Sequence, residues 1–464
     1  MKRNVCTLLI VFSVLAFNAT AETETHDGFF PYTLYRQTLE NGLDVLVIPM
    51  PEFKDVLSYN TLVNAGARNE IEKGKSGLAH LFEHILFRHR WEGELNGYDT
   101  AMGEMGAFNN AYTWFDITYY HPVTFKQNLR ELAELEADRF IRLDFSEKIF
   151  KTEAGAVMGE YRNGAANPGR RMGEVLSGLM YGDHGYGHTT IGFLEDVEDM
   201  PNEFEAALAF HDNYYRPNNC IMLVTGDVEP NEIFALVREL YSDWEPKDGP
   251  VLPALPAVSG PKREHVSWDV DVPPRVEVAH RAPERCRPGS VATAIGMMLP
   301  ELLTSETAPL YQTLRSKKQS CSDVGAGSAE FQSFESGPIT VSATLFKDKF
   351  DATGDAMIDE VASDIVAGLD DLKNFSARED AQSTLSALKK KLRYDMLAEF
   401  DSPANAAENF YWFYRFDRDL GVFDELVAAI DAVTVEDIET FAKDVFVPSN
   451  RVIVTMSHGN EEAR

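Results

Sequence analysis

"FHDNYYRPNNCIMLVTGDV", residues 210–228, and "FAKDVFVPSNRVIVTMSHG", residues 441–459, follow one pattern. Aligned on Pro217 and Pro448, both read as a helix end, an aromatic, x-Pro-x-Asn and then a β-branched strand. Phe210 pairs with Phe441, Tyr215 with Phe446 and Asn219 with Asn450. So many positions in register, at one fixed offset, mean a duplicated unit. Between the copies lies "EPKDGPVLPALPAVSGPKR" (245–263), with five prolines and no helical period, which suits an extended linker. The expected division is therefore a leader over 1–21, one domain over 30–244, the linker 245–263 and a second domain over 264–460. A chain of 464 residues is long enough for several cores.

Each half alternates strands and helices irregularly. "LDVLVIPM" (43–50) and "VLSYNTLVNAG" (56–66) read as a pair of strands. "FNNAYTWFDITYYHPV" (108–123) alternates like a strand or hairpin, and "QNLRELAELEADRF" (127–140) has helical period. The second half repeats the theme with a strand at 274–282, a helix near 290–318, a strand at 338–346 and long helices through 355–417. The fold class this predicts is α+β, with helices packed on largely antiparallel sheets.

Composition narrows the function. Residues 1–21, "MKRNVCTLLIVFSVLAFNATA", have a positive start (Lys2, Arg3), an apolar run and a small-x-small ending at Ala19-Thr20-Ala21, as a secretory signal cleaved after Ala21 has. An uncleaved anchor is the other reading, although the run is shorter than the roughly 20 residues that span a bilayer. Cleavage takes the formal charge from −31 to −33. Such an excess argues against nucleic acid or an anionic membrane as partner. It fits either a solvated acidic surface or a taste for basic peptides. Cys220, Cys286 and Cys321 are scattered and odd in number, giving neither a disulfide framework nor a thiolate zinc site.

"GLAHLFEHIL" (77–86) sets two histidines and a glutamate in an apolar run. At 3.6 residues per turn, His80, Glu83 and His84 share one helix face. Two readings stand: histidines hydrogen-bonded in a core, or ligands of one divalent ion with a carboxylate beside them. A buried glutamate is costly unless a charge compensates it, and a metal does so. A zinc hydrolase needs a third protein ligand and one open position. "KTEAGAVMGEYRN" (151–163) offers Glu153 and Glu160 two helical turns apart, again on one face. His89, His121, His184 and His188 read as structural or surface residues, and Cys220 as core.

"HLFEH" followed by Glu160 resembles the inverted-zincin signature of the pitrilysin or insulinase-like (M16) zinc metallopeptidases. "GAFNNAYTWFDITYY" (106–120) is similar to that family's substrate strand, "HGYGHTTIG" (184–192) to its glycine-rich turn, and the x-Pro-x-Asn endings are also its own. The resemblance implies two tandem LuxS/MPP-like metallohydrolase domains. It implies one Zn2+ per chain, held by His80, His84 and Glu160, with Glu83 as general base. Glu153 would orient a ligand histidine, and Asn110, Ala111 and Thr113 would take an extended peptide substrate as an added β-strand.

The chain departs from full-length members in its second half. Where they carry "LR-x-K-R-x-x-x-Y", this chain has "LRSKKQSCSDVGAG" (314–327), with Lys318 at the arginine position and Ser322 at the tyrosine position. Lys is a point charge without the planar fork of Arg. Tyr311 and Arg315 are the nearest substitutes. "APERCRPGSVATAIGMMLPELL" holds no His-x-x-Glu-His. This is the pattern of M16B-type subunits similar to the mitochondrial processing peptidase β subunit and its bacterial relatives. The resemblance then implies the zinc-bearing subunit of a heterodimer, with a homologous chain supplying the Arg/Tyr pair; a homodimer is the alternative. The expected setting is the periplasm of a Gram-negative bacterium, without stable membrane insertion. A non-catalytic scaffold subunit of the same fold is the competing reading.

Overall fold

The computed structural model describes residues 22–94, 97–283, 287–328 and 333–459. The signal-like segment 1–21 and Cys286 lie outside the described residues.

The duplication is visible in the topology. The first half forms a mixed sheet from β1 (Glu24–His26), β2 (Leu34–Thr38), β3 (Asp44–Pro49), β4 (Val56–Val63), β5 (Ala111–Thr113), β6 (Thr118–Tyr120), β7 (Val123–Phe125) and β8 (Cys220–Gly226). Its order is β1-β2-β3-β8-β4-β6-β5, with β7 paired to β4. The second sheet comprises β9 (Lys262–Trp268), β10 (Arg275–Arg281), β11 (Cys321–Ser328), β12 (Pro338–Leu345) and β13 (Arg451–His458), in the order β11-β12-β10-β13-β9. Read from the other end, the second sheet reproduces β3-β8-β4-β6-β5 of the first. In both, one pairing is parallel (β3 with β8, β9 with β13) and the following three are antiparallel. The x-Pro-x-Asn strands β8 and β13 occupy equivalent central places. The strands expected at 43–50 and 56–66 are present but not neighbours, because β8 lies between them.

Both faces of the first sheet are buried, which explains why "VLVI" in β3 is apolar at every position. Successive side chains alternate across the sheet. Val45, Val47, Met222 and Val224 join the core under the first half's helices. Leu46, Ile48, Ile221 and Leu223 join a core shared with the second half. What covers that far face is the helix Pro403–Tyr414 of the second half, packed on β8 and β4. In return, the first half's helix Pro168–Tyr181 sends Met172, Leu176 and Met180 onto Ala279, Val452 and Val454 of the second sheet. The two helices are counterparts. Each follows a long helix (Glu147–Ala165 and Ala381–Ala398) and starts with a polar N-cap, Asn167 or Ser402, followed by proline. The halves therefore exchange equivalent covers.

The helix expected near 290–318 is broken. A helix spans Val291–Thr304, the backbone turns extended at Ser305, and helical structure resumes at Pro309, where proline suits a first-turn position. Segment 245–261 holds neither helix nor strand. Among the described residues no helix is long and apolar enough to cross a membrane. Cys220 and Cys321 are buried free thiols.

Two buried polar groups yield predictions. Asp44 is fully buried in β3 and accepts from Arg36 Nε at 2.8 Å and from the Tyr414 hydroxyl at 2.5 Å, tying the exchanged helix to the first sheet. Asp44→Ala leaves the Tyr414 hydroxyl without this acceptor and Arg36 with only its longer contacts to Glu24 and the Arg418 carbonyl, and should cost about 3 kcal/mol, read by denaturant unfolding. His280 in β10 is buried, which pushes its pKa down to about 3, with the Arg451 and Lys373 charges adding to the effect. Unfolding lets it bind a proton near its usual value of about 6.5. Its contribution to stability is therefore present above pH 6.5 and is lost as pH falls toward 3. His280→Gln should flatten the acid limb of a stability–pH profile.

Candidate metal centre

The helix Leu78–Leu86 buries Leu78, Ala79, Leu81, Phe82, Ile85 and Leu86 and leaves His80, Glu83 and His84 on its remaining face. Its start is sharply defined. Gly77 has φ of +93°, and a Cβ there would lie 2.6 Å from the Ile191 carbonyl oxygen, so only glycine fits. The buried Glu70 carboxylate accepts from the Gly77 and Ala79 N–H groups, both at 2.7 Å, satisfying donors that the first turn leaves open. Burial pushes Glu70 up to about pH 8 even so.

The helix Glu147–Ala165 crosses alongside and brings Glu153 and Glu160 to the histidines. Glu160 Oε2 is 3.5 Å from His80 Nε2, and Glu160 Oε1 is 3.5 Å from His84 Nε2. The two imidazoles stand edge to face, with ring centroids 4.9 Å apart. One ligand atom from each of His80, His84 and Glu160 lies within 4.8 Å of the others. Donors at about 2.0–2.1 Å from a tetrahedral zinc are separated by roughly 3.4 Å, so this spacing suits a shared ion better than direct hydrogen bonds. The donor chemistry fits as well. Burial, with His84 beside it, pushes His80 down to about pH 4, so it is the neutral ligand form at pH 7. Glu160 remains half exposed, leaving the site open on one side.

The remaining predicted residues take distinct places. Glu153 Oε2 is 3.5 Å from His84 Nδ1, the nitrogen turned away from Glu160. Burial alone would lower the His84 pKa, but Glu153, Glu160 and Glu83 outweigh it and raise it. Glu83 accepts from the Thr113 hydroxyl at 2.8 Å, and burial raises its carboxyl above the usual range. Thr113 and Ala111 are in β5, the edge strand beside this helix. Flanking β5, the Asn110 carbonyl accepts from His121 N–H, and Trp114 N–H donates to the Ile117 carbonyl. Since paired rungs alternate, the N–H and C=O of Ala111 and the carbonyl of Thr113 point outward from the sheet. Asn110 thus offers its exposed amide side chain, not its carbonyl.

The other histidines do not reach this cluster. His89 is bonded to Asp138 at 2.8 Å, His121 stacks on Tyr119, His184 accepts from Tyr186 N–H, and His188 meets the Thr189 carbonyl. In the second half, Lys318 is held by Glu360 and Asp364, both at 2.7 Å, and Ser322 donates to the Thr344 carbonyl. Arg315 is held by the Cys321 carbonyl at 2.9 Å, with its guanidinium 5.9 Å from the Tyr311 ring centre. The helix Val291–Thr304, which follows β10 as the motif helix follows β4, carries no histidine at all.

Residues 49–192 match the family model described as Insulinase (Peptidase family M16), and residues 203–373 match Peptidase M16 inactive domain. The chain belongs to peptidase family M16. Among M16 relatives it is 32% identical over 228 residues to the zinc protease PqqE of Helicobacter pylori, covering 49% of this chain and 50% of that one. It is 26% identical over 255 residues to the probable zinc protease PqqL of Haemophilus influenzae, covering 53% and 27%. The chain spans about half the length, or less, of these curated relatives. A crystal structure of a protease from Helicobacter pylori shares the M16 fold with a TM-score of 0.79, at 24% identity over 94% of this chain and 99% of that one. The periplasmic protease PqqL from Escherichia coli superposes with a TM-score of 0.73, at 17% identity over 92% and 48%.

Two residues beside this candidate site escaped the sequence reading. Arg88 Nε donates to Glu153 Oε1 at 2.9 Å, and Arg88 also bonds Asp99 at 3.0 Å, fixing the carboxylate that faces His84. Its signal was its spacing, four residues after His84. Glu70 left no readable signal, since its partners are backbone groups. Groups that orient a metal-binding histidine commonly contribute 10–100-fold in affinity. Arg88→Met is expected to weaken Zn2+ binding by about tenfold, measured by chelator competition.

Proposed function

We propose that this chain is a zinc-dependent endopeptidase acting on extended peptides. The convergence of His80, His84 and Glu160, with Glu83 on the same helix face and bonded to Thr113 of an open edge strand, carries the reading. The names of its relatives, zinc proteases, support it.

His80, His84 and Glu160 would hold the ion, which supplies Lewis acidity to a water and to the scissile carbonyl. The chain's own residues do the rest. An extended peptide pairs with the outward main-chain groups of Ala111 and Thr113, and the Asn110 amide adds a side-chain contact. That main-chain mode selects for unfolded segments more than for particular side chains. Glu83 is oriented by Thr113 and has its pKa raised by burial, which suits a carboxylate that accepts a proton from the attacking water and returns it to the leaving amine. Glu153, braced by Arg88, keeps the His84 ring in place.

The chain is further read as the metal-bearing subunit of a heterodimer. Lys318, Ser322 and Arg315 are all engaged within the second half, which supports a partner chain as the source of the Arg/Tyr pair. Two copies of this chain are the alternative assembly. Export to the periplasm rests on residues 1–21 and on the periplasmic setting printed for PqqL of Escherichia coli. A non-catalytic role is the second reading, favoured by the inactive-domain match over 203–373. That match lies mostly outside the half that holds the four site residues.

Glu83→Gln separates the two readings. It should retain one zinc per chain while peptide hydrolysis, assayed with any partner chain present, falls by about 10²–10⁴. Equal hydrolysis by both proteins would favour the scaffold. Glu160→Gln should instead reduce zinc content, measured by elemental analysis.

A further inference from the structure

Tyr112 sits in the middle of β5, between Ala111 and Thr113. Alternation turns Thr113 toward Glu83 and sends Tyr112 to the opposite face of the sheet. There it meets the exchanged helix Pro403–Tyr414 of the second half. The Tyr112 hydroxyl donates to Glu408 Oε1 at 2.9 Å and lies in hydrogen-bond contact with the Tyr411 hydroxyl. Its ring is parallel to that of Trp412 within 17°, and Tyr119 of the neighbouring β6 packs on Tyr411 with centroids 4.3 Å apart. Glu408 is drawn into this aromatic contact closely enough that burial raises its carboxyl pKa.

β5 cannot fix itself. It has three residues, among the described residues it pairs on one side only, and its partner β6 is equally short and joins β4 over three residues. So short a hairpin is marginal by itself, and its position depends on what packs against it. In front it packs on the motif helix; behind, it has the Tyr112 contacts. A displacement of about 1 Å in a strand that both binds the peptide and orients Glu83 is enough to disturb the reacting geometry.

We propose that Tyr112 and Glu408 are positioning residues, through which the half without a metal motif sets how a peptide is presented to Glu83. This rests on the reading that β5 receives the substrate. On this account the second half is a working part of the site, because its helix anchors the substrate strand from the back.

The test uses the full chain, any partner chain it requires, a quenched fluorescent pool of unstructured peptides for kinetics, and one labelled peptide for binding to Glu83→Gln. Tyr112→Phe removes the hydroxyl and keeps the ring. Glu408→Leu removes the acceptor, and Glu408→Gln restores an amide oxygen in its place. Tyr112→Phe and Glu408→Leu should raise KM, and weaken peptide binding in the Glu83→Gln background, by about three- to tenfold, the range one hydrogen bond of ordinary net strength supplies. Zinc affinity should not change, and Glu408→Gln should stay within about twofold of the parent. Should Glu408→Leu fail to fold, Tyr112→Phe carries the comparison. Variants that lose only thermal stability, with KM and peptide affinity equal to the parent, overturn the inference while leaving the peptidase reading intact. A Glu83→Gln parent that binds no peptide overturns both.

Discussion

Each half of this molecule builds a sheet whose two faces are apolar but supplies its own helices to only one of them. An apolar sheet face cannot be left to water, since burial stabilises by about 25 cal/mol per Å². The solution is reciprocal: each half lends the other one helix, 168–181 in one direction and 403–414 in the other. The fully buried Asp44, gripped by Arg36 and Tyr414, gives the second of these contacts a fixed register. The same exchanged helix packs behind the edge strand β5, beside the candidate metal centre.

The candidate metal centre lies on the opposite side of the first sheet, where the motif helix and the 147–165 helix meet. Three carboxyl groups, Glu83, Glu153 and Glu160, stand around two imidazoles in a space that is open only on the Glu160 side. Without a cation this arrangement is electrostatically poor, because desolvated like charges repel and each loses its hydration. The structure compensates one of them directly, through Arg88 to Glu153. The charges of Glu160 and Glu83 face the region between the histidines, which is where a divalent ion fits. Glu70, on the far end of the motif helix, serves a different purpose by closing the first turn with a buried carboxyl.

Legibility of the sequence varied with the range of the interactions. His80, Glu83 and His84 were readable because helical spacing alone puts them on one face. Glu160 and Glu153 were readable because their spacing marks a second such face and the family resemblance ties the two together. Arg88 was missed, since an arginine after a helix is usually a solvated charge, and only the approach of Glu153 and Asp99 gives it partners. β8 between β3 and β4 was missed as well. Pairing partners about 170 positions apart leave no local trace, and two successive apolar strands suggest a hairpin by default. The contact of Tyr112 with Glu408 belongs to the same class.

By itself the sequence determined the duplication, the strand and helix content of each copy, and the donor atoms available for a metal. These come from periodicity and composition, which act over a few residues at a time. The tertiary structure alone decided which copy's helix covers which sheet, how the two acidic positions meet the two histidines, and which face of the edge strand is held from behind. Those outcomes depend on packing between segments far apart in the chain, where shape and burial of whole faces select the partner.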